Sequence, residues 1–412
     1  MPVPPLSARA ILVALLAWCA VSVAAPAGAA KADADSPAAG TEPAPGVGYR
    51  SWGVTGSHGP ARVHLVTVDL RDPGVRVDLL TPGTVGARAP LSALADARAA
   101  VAAVNGDFFD ISGPGHPGVE PTGASVGPAV GGGRHVKAAV PEGQRFGSAL
   151  PPGTGTREVL GVGVDRRGRL GRLTLDGSVT ASGGTLFPLE GLNQYALPVD
   201  SVGVFTADWG AASRVRATCG TDQDRAAACS RDTYEVTVRA GRVAAVARVP
   251  GAGVIPRGTE VLVGRERGAR SLRGLTVGDR VSVRHRLVAE GSPIPYHFAV
   301  GGYPVLRAGA PLPGLDRLTS AVRSAAGLAD GGRTLLLMAL DGSLAFRSGL
   351  TVAEVAALMR DAGAEDAFSL DGGGSSTLVT RSPSGTAVTV RNHPSGGAER
   401  PVANGIGVFR RP

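Results

Sequence analysis

The chain has 412 residues, enough for two domains and a large core. Glycine is abundant, at 61, and aromatics are scarce, at 4%, a composition that argues for turns and strands over long helices. The formal charge of +8 is carried by scattered arginines, with lysine only at Lys31 and Lys137; the lack of a basic stripe interleaved with aromatics argues against nucleic-acid binding, and the balance suits an acidic substrate.

Arg9 precedes the apolar run Ala10 to Ala25, and small residues follow through Ala30, so residues 1–30 read as a secretory signal peptide cleaved after Ala27-Gly28-Ala29. No later stretch is apolar for long enough to span a bilayer. The mature chain is therefore expected outside the cell, secreted or loosely attached to the wall. Residues 31–48 carry no hydrophobic period and read as a disordered linker. Past the signal two cysteines remain, Cys219 and Cys229, and an even pair in an exported chain reads as a structural disulfide.

Folded structure is expected from Tyr49, with strands at 62–70 and 75–80 joined by Asp72-Pro73-Gly74. Leu91 to Ala100 has a helical pattern, with Ser92 as its N-cap. The apolar run Val101 to Val104 ends in Asn105-Gly106-Asp107-Phe108-Phe109-Asp110, a polar cluster at the end of a buried strand. Asn105 offers a donor and an acceptor, the aspartates offer carboxylates, and the phenylalanines suit the wall of a sugar site. An Asn-Gly hairpin turn is the plain structural reading of the same residues. Gly123-Ala124-Ser125-Val126-Gly127 matches the form of a serine-hydrolase elbow, but it lacks the preceding strand and following helix that such an elbow needs.

Residues 151–290 read as a smaller β-rich module, inserted in or packed on the first domain, whose two segments are 49–150 and 291–412. Gly291 to Pro295 reads as a hinge. Thr334 to Leu340 is the strongest buried strand, and it ends at Asp341-Gly342. Thr351 and Glu354 form a capping box for a helix that stops at Gly363. Ala367 to Leu370 then leads into Asp371-Gly372-Gly373-Gly374-Ser375-Ser376-Thr377. Glycines let backbone N–H groups converge on an anion, here beside one carboxylate. The order strand, helix, strand makes the 334–340 and 367–370 strands neighbours in one sheet, which would bring Asp341 and Asp371 to the same edge. Near the C-terminus Glu399-Arg400 precedes a final strand carrying Asn404, and Arg400 is a forked donor suited to phosphate.

The ordered set NGDFFD, VGGYPV, RSAAG, DGGGSST and ERPVAN resembles the phosphodiester glycosidase family, from about Tyr49 to Phe409. The resemblance implies an α/β (α+β) fold, with a central mixed sheet and flanking helices. It also implies hydrolysis of a sugar, of N-acetylglucosamine type, linked through its anomeric oxygen to phosphate. Carried over by the motif are Asn105, Gly106, Phe109, Arg323, Asp371, Gly372, Gly373, Gly374, Ser375, Arg400 and Asn404; Gly302 and Ser376 complete the expected binding set. The chain departs from the family pattern at Asp107, where glycine is usual, and at Ser343, where arginine is common.

Asp371 is the expected essential carboxylate, with Asp107, Asp341 or Glu399 as the second. Arg323, Arg400 and the amides of Gly372 to Ser375 are the expected cradle for the departing phosphate. No cofactor or metal is expected: His64, His116, His135 and His297 fit no ligand spacing, and a Ca²⁺ at Asp107, Asp110 or Asp371 has donor type alone in its favour. A non-catalytic protein binding wall glycan or phosphate, and a serine esterase using Ser125, are the competing readings.

Overall fold

The computed structural model describes Met1 and residues 31–32, 40–111 and 116–411; the expected signal peptide, Met1 apart, lies outside them. The expectation of a mixed sheet with flanking helices is overturned. The described chain is nearly all β, in antiparallel sheets, and its three α-helices are Leu91–Ala97, Arg267–Leu272 and Val352–Asp361. Parallel pairing joins Gly191–Leu192 to Val202–Phe205, a two-residue contact.

The largest sheet places the hairpin Val47–Gly56 and Gly59–Asp69 beside Thr334–Leu340, then Ser324–Ala329, Asp366–Ser369 and Tyr303–Arg307. Thr334–Leu340 and Asp366–Ser369, expected as neighbours, are instead separated by Ser324–Ala329, which pairs antiparallel with both. The crossover through helix Val352–Asp361 keeps the two strands pointing the same way, and an antiparallel strand fills the slot between them. The apolar run at 335–340 is buried on both faces. Leu335, Leu337 and Ala339 enter one core, while Leu336, Met338 and Leu340 enter another, as alternation of side chains along a strand requires.

A second sheet, in the order Val388–Val390, Leu378–Arg381, Ala102–Asn105, Gly405–Arg410 and Val75–Leu80, packs across the first core, so that Val104, Leu378 and Ile406 meet Leu337 and Phe368 in one apolar cluster. The expected linker 31–48 is also partly strand: Thr41–Ala44 and the start of Val47–Gly56 lie inside it. Val47 and Gly48 pair with Val68 and Thr67, and Thr41 and Ala44 with Tyr49 and Val47, so sheet pairing takes in the end of a segment whose composition alone reads as disordered.

Within 151–290, Glu158–Gly163, Gly168–Ala181 and Val281–Ala289 join one sheet, while Val202–Phe205, Thr233–Arg239, Arg242–Ala247 and Thr259–Arg265 lie in another. Glu158–Gly163 also pairs with Tyr296–Gly301, so hydrogen bonding crosses the expected boundary at 290/291. The capping box of Thr351 and Glu354 is present, with the Thr351 Oγ1 accepting the Glu354 amide at 3.2 Å and the Glu354 carboxylate accepting the Thr351 amide at 2.8 Å. The first helix differs from expectation. Pro90 is its N-cap and Ser92 makes no side-chain cap; the Ser92 amide donates instead to Glu399 Oε2 at 3.0 Å.

Candidate functional site

Strand ends from the two main sheets meet at one place. From the second sheet come Asn105, Thr377 and Asn404, at the ends of Ala102–Asn105, the start of Leu378–Arg381 and the start of Gly405–Arg410. From the largest sheet come Tyr303, Ser324 and Asp371, at the matching ends of its central strands.

Asn105 stitches them together. Its Nδ2 donates to the Asp371 carbonyl at 2.7 Å, and its Oδ1 accepts from Ser324 Oγ at 2.7 Å and from the Thr377 amide at 3.1 Å. It is fully buried, so its three bonds position the site and leave the side chain little to offer a ligand. Gly106 continues the seam, donating its amide to the Asn404 carbonyl at 3.0 Å and accepting the Asp371 amide at 2.9 Å. Asn404 Oδ1 accepts the Asp107 amide at 2.9 Å. Four of the expected site residues, Asn105, Gly106, Asp371 and Asn404, are thus joined directly.

Asp371 is only partly buried. Burial pushes its carboxyl up to about 6, against the hydroxyl of Ser375, the charge of Arg400 and the Gly372 amide, which favour the anion. Arg400 is exposed, with Nη1 3.4 Å from Ser375 Oγ, so that hydroxyl links the guanidinium to the carboxylate. A Cβ at Gly374 would lie 2.5 Å from Arg400 Nη2, so a side chain there would displace the guanidinium. The amides expected to cradle an anion are mostly occupied: Gly372 donates to Asp371 Oδ1, Gly373 to the Val322 carbonyl, and Ser375 and Ser376 to the Gly372 and Gly373 carbonyls. Arg323 is occupied too. It is buried and donates to Thr319 O at 2.8 Å, Leu350 O at 3.3 Å and Ser148 Oγ at 3.4 Å. Exposed Arg400 therefore remains as the available phosphate donor among these side chains. The hydroxyls of Ser376 and Thr377 are buried and have no protein partner.

The three candidates for a second carboxylate have different surroundings. Asp341 is buried and accepts from the Ser343 amide at 2.8 Å, from His393 Nδ1 at 2.8 Å and from His64 Nε2 at 3.3 Å. Burial raises its carboxyl, but the bonds from Ser343 and His393 prevail and hold it well below the usual carboxylate range. Burial also lowers His64, to about 4, against the pull of Asp341. Spacing alone gave no sign that His64 and His393 converge on one aspartate. Glu399 is held at the Ser92 amide. Asp107 is buried, with Oδ2 accepting the Gly127 amide at 2.6 Å and Oδ1 unpartnered. Burial raises its carboxyl, Lys137 and the Gly127 amide oppose this, and the charge of Asp371 adds to it.

The aromatic wall expected here is different in kind. Phe109 is buried in a core with Leu91, Val379 and Val402. Phe108 stacks on Tyr303 at 5.8 Å, with the Arg145 guanidinium 5.5 Å from its ring. Gly302 sits where Tyr296–Gly301 of one sheet hands over to Tyr303–Arg307 of another, against Phe368. Ser125 is buried and bridges to Phe109, and no helix follows it. Among the described residues, His116, Cys219 and Cys229 are grouped closely enough to hold a metal, but the two cysteines are joined as the expected disulfide. Lys137 and Arg145 were missed from the sequence; the one available signal was that lysine is so scarce in this chain.

Residues 232–409 match the model of the phosphodiester glycosidase family, a span that includes Asp371, Arg400 and Asn404 and leaves out Asn105 to Asp110. No curated protein matches the chain significantly. Among solved structures, a hypothetical protein from Synechocystis is 22% identical, with a TM-score of 0.67 over 89% of this chain and 62% of its own. The chain thus spans about three fifths of that protein's length. A Burkholderia pseudomallei protein described as exported is 24% identical, with a TM-score of 0.65 over 85% of this chain and 74% of that one. Both share the fold. The zebrafish N-acetylglucosamine-1-phosphodiester α-N-acetylglucosaminidase catalytic domain, auto-inhibited by its pro-peptide, aligns at 15% identity and a TM-score of 0.42 over 93% of this chain and 87% of that domain.

Proposed function

We propose, taking the likeness of residues 232–409 to phosphodiester glycosidases as the premise, that this chain hydrolyses the glycosidic bond of a sugar-1-phosphodiester. The observation that carries the reading is the hydrogen-bonded seam of Asn105, Gly106 and Asn404, which ties the Asp371 and Asp107 backbones together from distant parts of the chain, with Arg400 and Ser375 beside the first. Such a substrate breaks through an oxocarbenium-like transition state, and flanking carboxylates stabilise it or deliver water to it. Asp371, partly buried and linked through Ser375 to Arg400, is the group assigned to the anomeric carbon. Asp107 is the second carboxylate, because Asp341 is held by two histidines and Glu399 by a helix end. The leaving phosphomonoester is a stable anion and needs charge more than a proton, which Arg400 supplies. Water adds to C1, the C1–O bond breaks, and free sugar and a phosphomonoester result.

The substrate class is a glycopolymer or glycoconjugate with sugar-1-phosphate linkages, N-acetylglucosamine first among the sugars. Secretion belongs to the same proposal. The Cys219–Cys229 disulfide suits an oxidising compartment, and no helix among the described residues is long and apolar enough to cross a membrane.

The test is sugar release from a synthetic N-acetylglucosamine-1-phosphodiester in ¹⁸O-water. Label is expected in the sugar, with Asp371→Asn losing about 10³-fold or more and Ser125→Ala unchanged. Label in the phosphate, or an Asp371→Asn enzyme at the wild-type rate, overturns the proposal. Binding without turnover points to a non-catalytic glycan-binding protein.

A further inference from the structure

Lys137 is one of two lysines in a chain with 42 basic residues, and it is 1% exposed. Arginine would bring five donors and could not give up its proton; a lysine ammonium has three donors and responds to burial. The position offers three acceptors. Nζ donates to Ala138 O at 2.6 Å, Gly127 O at 2.7 Å and Val126 O at 3.3 Å. All three are neutral carbonyls, so the ammonium is held firmly while its charge stays uncompensated at contact.

The Val126–Gly127 peptide connects this cation to the site. Its Val126 carbonyl accepts from Lys137 at 3.3 Å, and its Gly127 amide donates to Asp107 Oδ2 at 2.6 Å. The peptide stands between ammonium and carboxylate with its dipole aligned to both. Gly301 crosses at the same point, where a Cβ would lie 2.4 Å from Asp107 Oδ2 and 2.7 Å from the Gly127 Cα, so the backbones pack too closely for the peptide to turn. The remaining oxygen of Asp107, Oδ1, is buried without a protein partner.

We propose that Lys137 is a positioning residue for Asp107: it fixes the Gly127 amide on Oδ2, leaves Oδ1 for the reacting group, and supplies the charge that keeps Asp107 able to ionise. This rests on the reading of Asp107 as the second carboxylate. The charged and titratable groups that interact with Asp107 include Lys137, Asp371, Arg145 and Tyr195; Asp107 is the one that acts on Lys137. Burial lowers the Lys137 amine and Asp107 opposes it, while burial raises Asp107 and Lys137 opposes that. Removing either partner must therefore move the other further from its ordinary value.

Two measurements on the full chain test this. In Lys137→Met, the limb of the pH–kcat profile that reports Asp107 is expected to move up by about one pH unit or more, with kcat lowered about tenfold and KM little changed. In wild type labelled at the lysine ε-carbon, the Lys137 NMR signal titrates below the ordinary lysine range, and in Asp107→Asn it is expected to move lower still. A Lys137→Met profile that coincides with wild type overturns the proposal, as does a Lys137 signal indifferent to Asp107→Asn. Should Lys137→Met fail to fold, the titration of wild type and Asp107→Asn decides alone. A wild type that turns over no phosphodiester defeats the proposed activity, and the NMR coupling still decides the pairing independently.

Discussion

Burial holds the Asp371 carboxyl up at about 6, where an unfolded chain would hold it near the ordinary 3.8. For an acid raised in this way, the fold favours the protonated form. Stability from this group is full below pH 4 and is lost as pH rises through 6. An asparagine keeps an acceptor for the Gly372 amide and never charges. Asp371→Asn should therefore be more stable than wild type by about 1–2 kcal/mol at pH 7.5, with no gain at pH 4, while losing activity. Thermal denaturation at the two pH values checks it, and a variant equally destabilised at both would refute the account. The sequence singles out Asp371 because its glycines and hydroxyls stand beside it. Lys137 is not singled out, since its partner Asp107 lies thirty positions away and the two are joined through the backbone at Val126 and Gly127. Phe109 was misread for a related reason, since a sequence shows an aromatic but not which core it enters.

At the scale of elements, local signals held where one strand or helix carried its own boundary. The capping box of Thr351 and Glu354 placed its helix, and the apolar run 335–340 placed its strand. Where a boundary depends on a distant residue, the sequence misled. Ser92 has cap chemistry, yet the helix begins one residue earlier and its amide is satisfied from the other end of the chain by Glu399. Glu399 was one of three candidates for the second carboxylate; its hydrogen bond to the Ser92 amide supports a structural duty instead. Glu399→Ala should cost about 1 kcal/mol, the usual loss for a helix N-terminal acceptor, with kcat and the pH profile as in wild type. Denaturant melts and rates together check this. A large fall in kcat with unchanged stability would return Glu399 to the catalytic list.

The whole molecule was the level least legible. Strand, helix, strand is the pattern of a parallel α/β unit, but the same order is satisfied by two strands with an antiparallel third between them, and nothing in residues 334–370 reports that Ser324–Ala329 will occupy the slot. Nor did composition show how tightly the β-rich half is tied to the site. The loop closed by Cys219 and Cys229 carries Arg225, which stacks on Phe146 at 4.0 Å and donates to the Arg145 carbonyl, and Thr221, whose carbonyl accepts from Gln144 Nε2 at 2.6 Å. Arg145 in turn acts on Asp107. The disulfide is thus a brace for residues 142–146 as well as a cross-link. Replacing both cysteines by serine frees a loop with a sequence separation of 10, which in the chain-entropy model costs about 2–3 kcal/mol. Because the brace reaches Arg145, the variant should also run slower at temperatures where it remains folded, and wild type treated with a thiol reductant should match it. Unfolding midpoints with rates measured well below them test both parts. Loss of stability at full activity would confine the disulfide to the cross-link, and loss of neither would remove it from any account of the site.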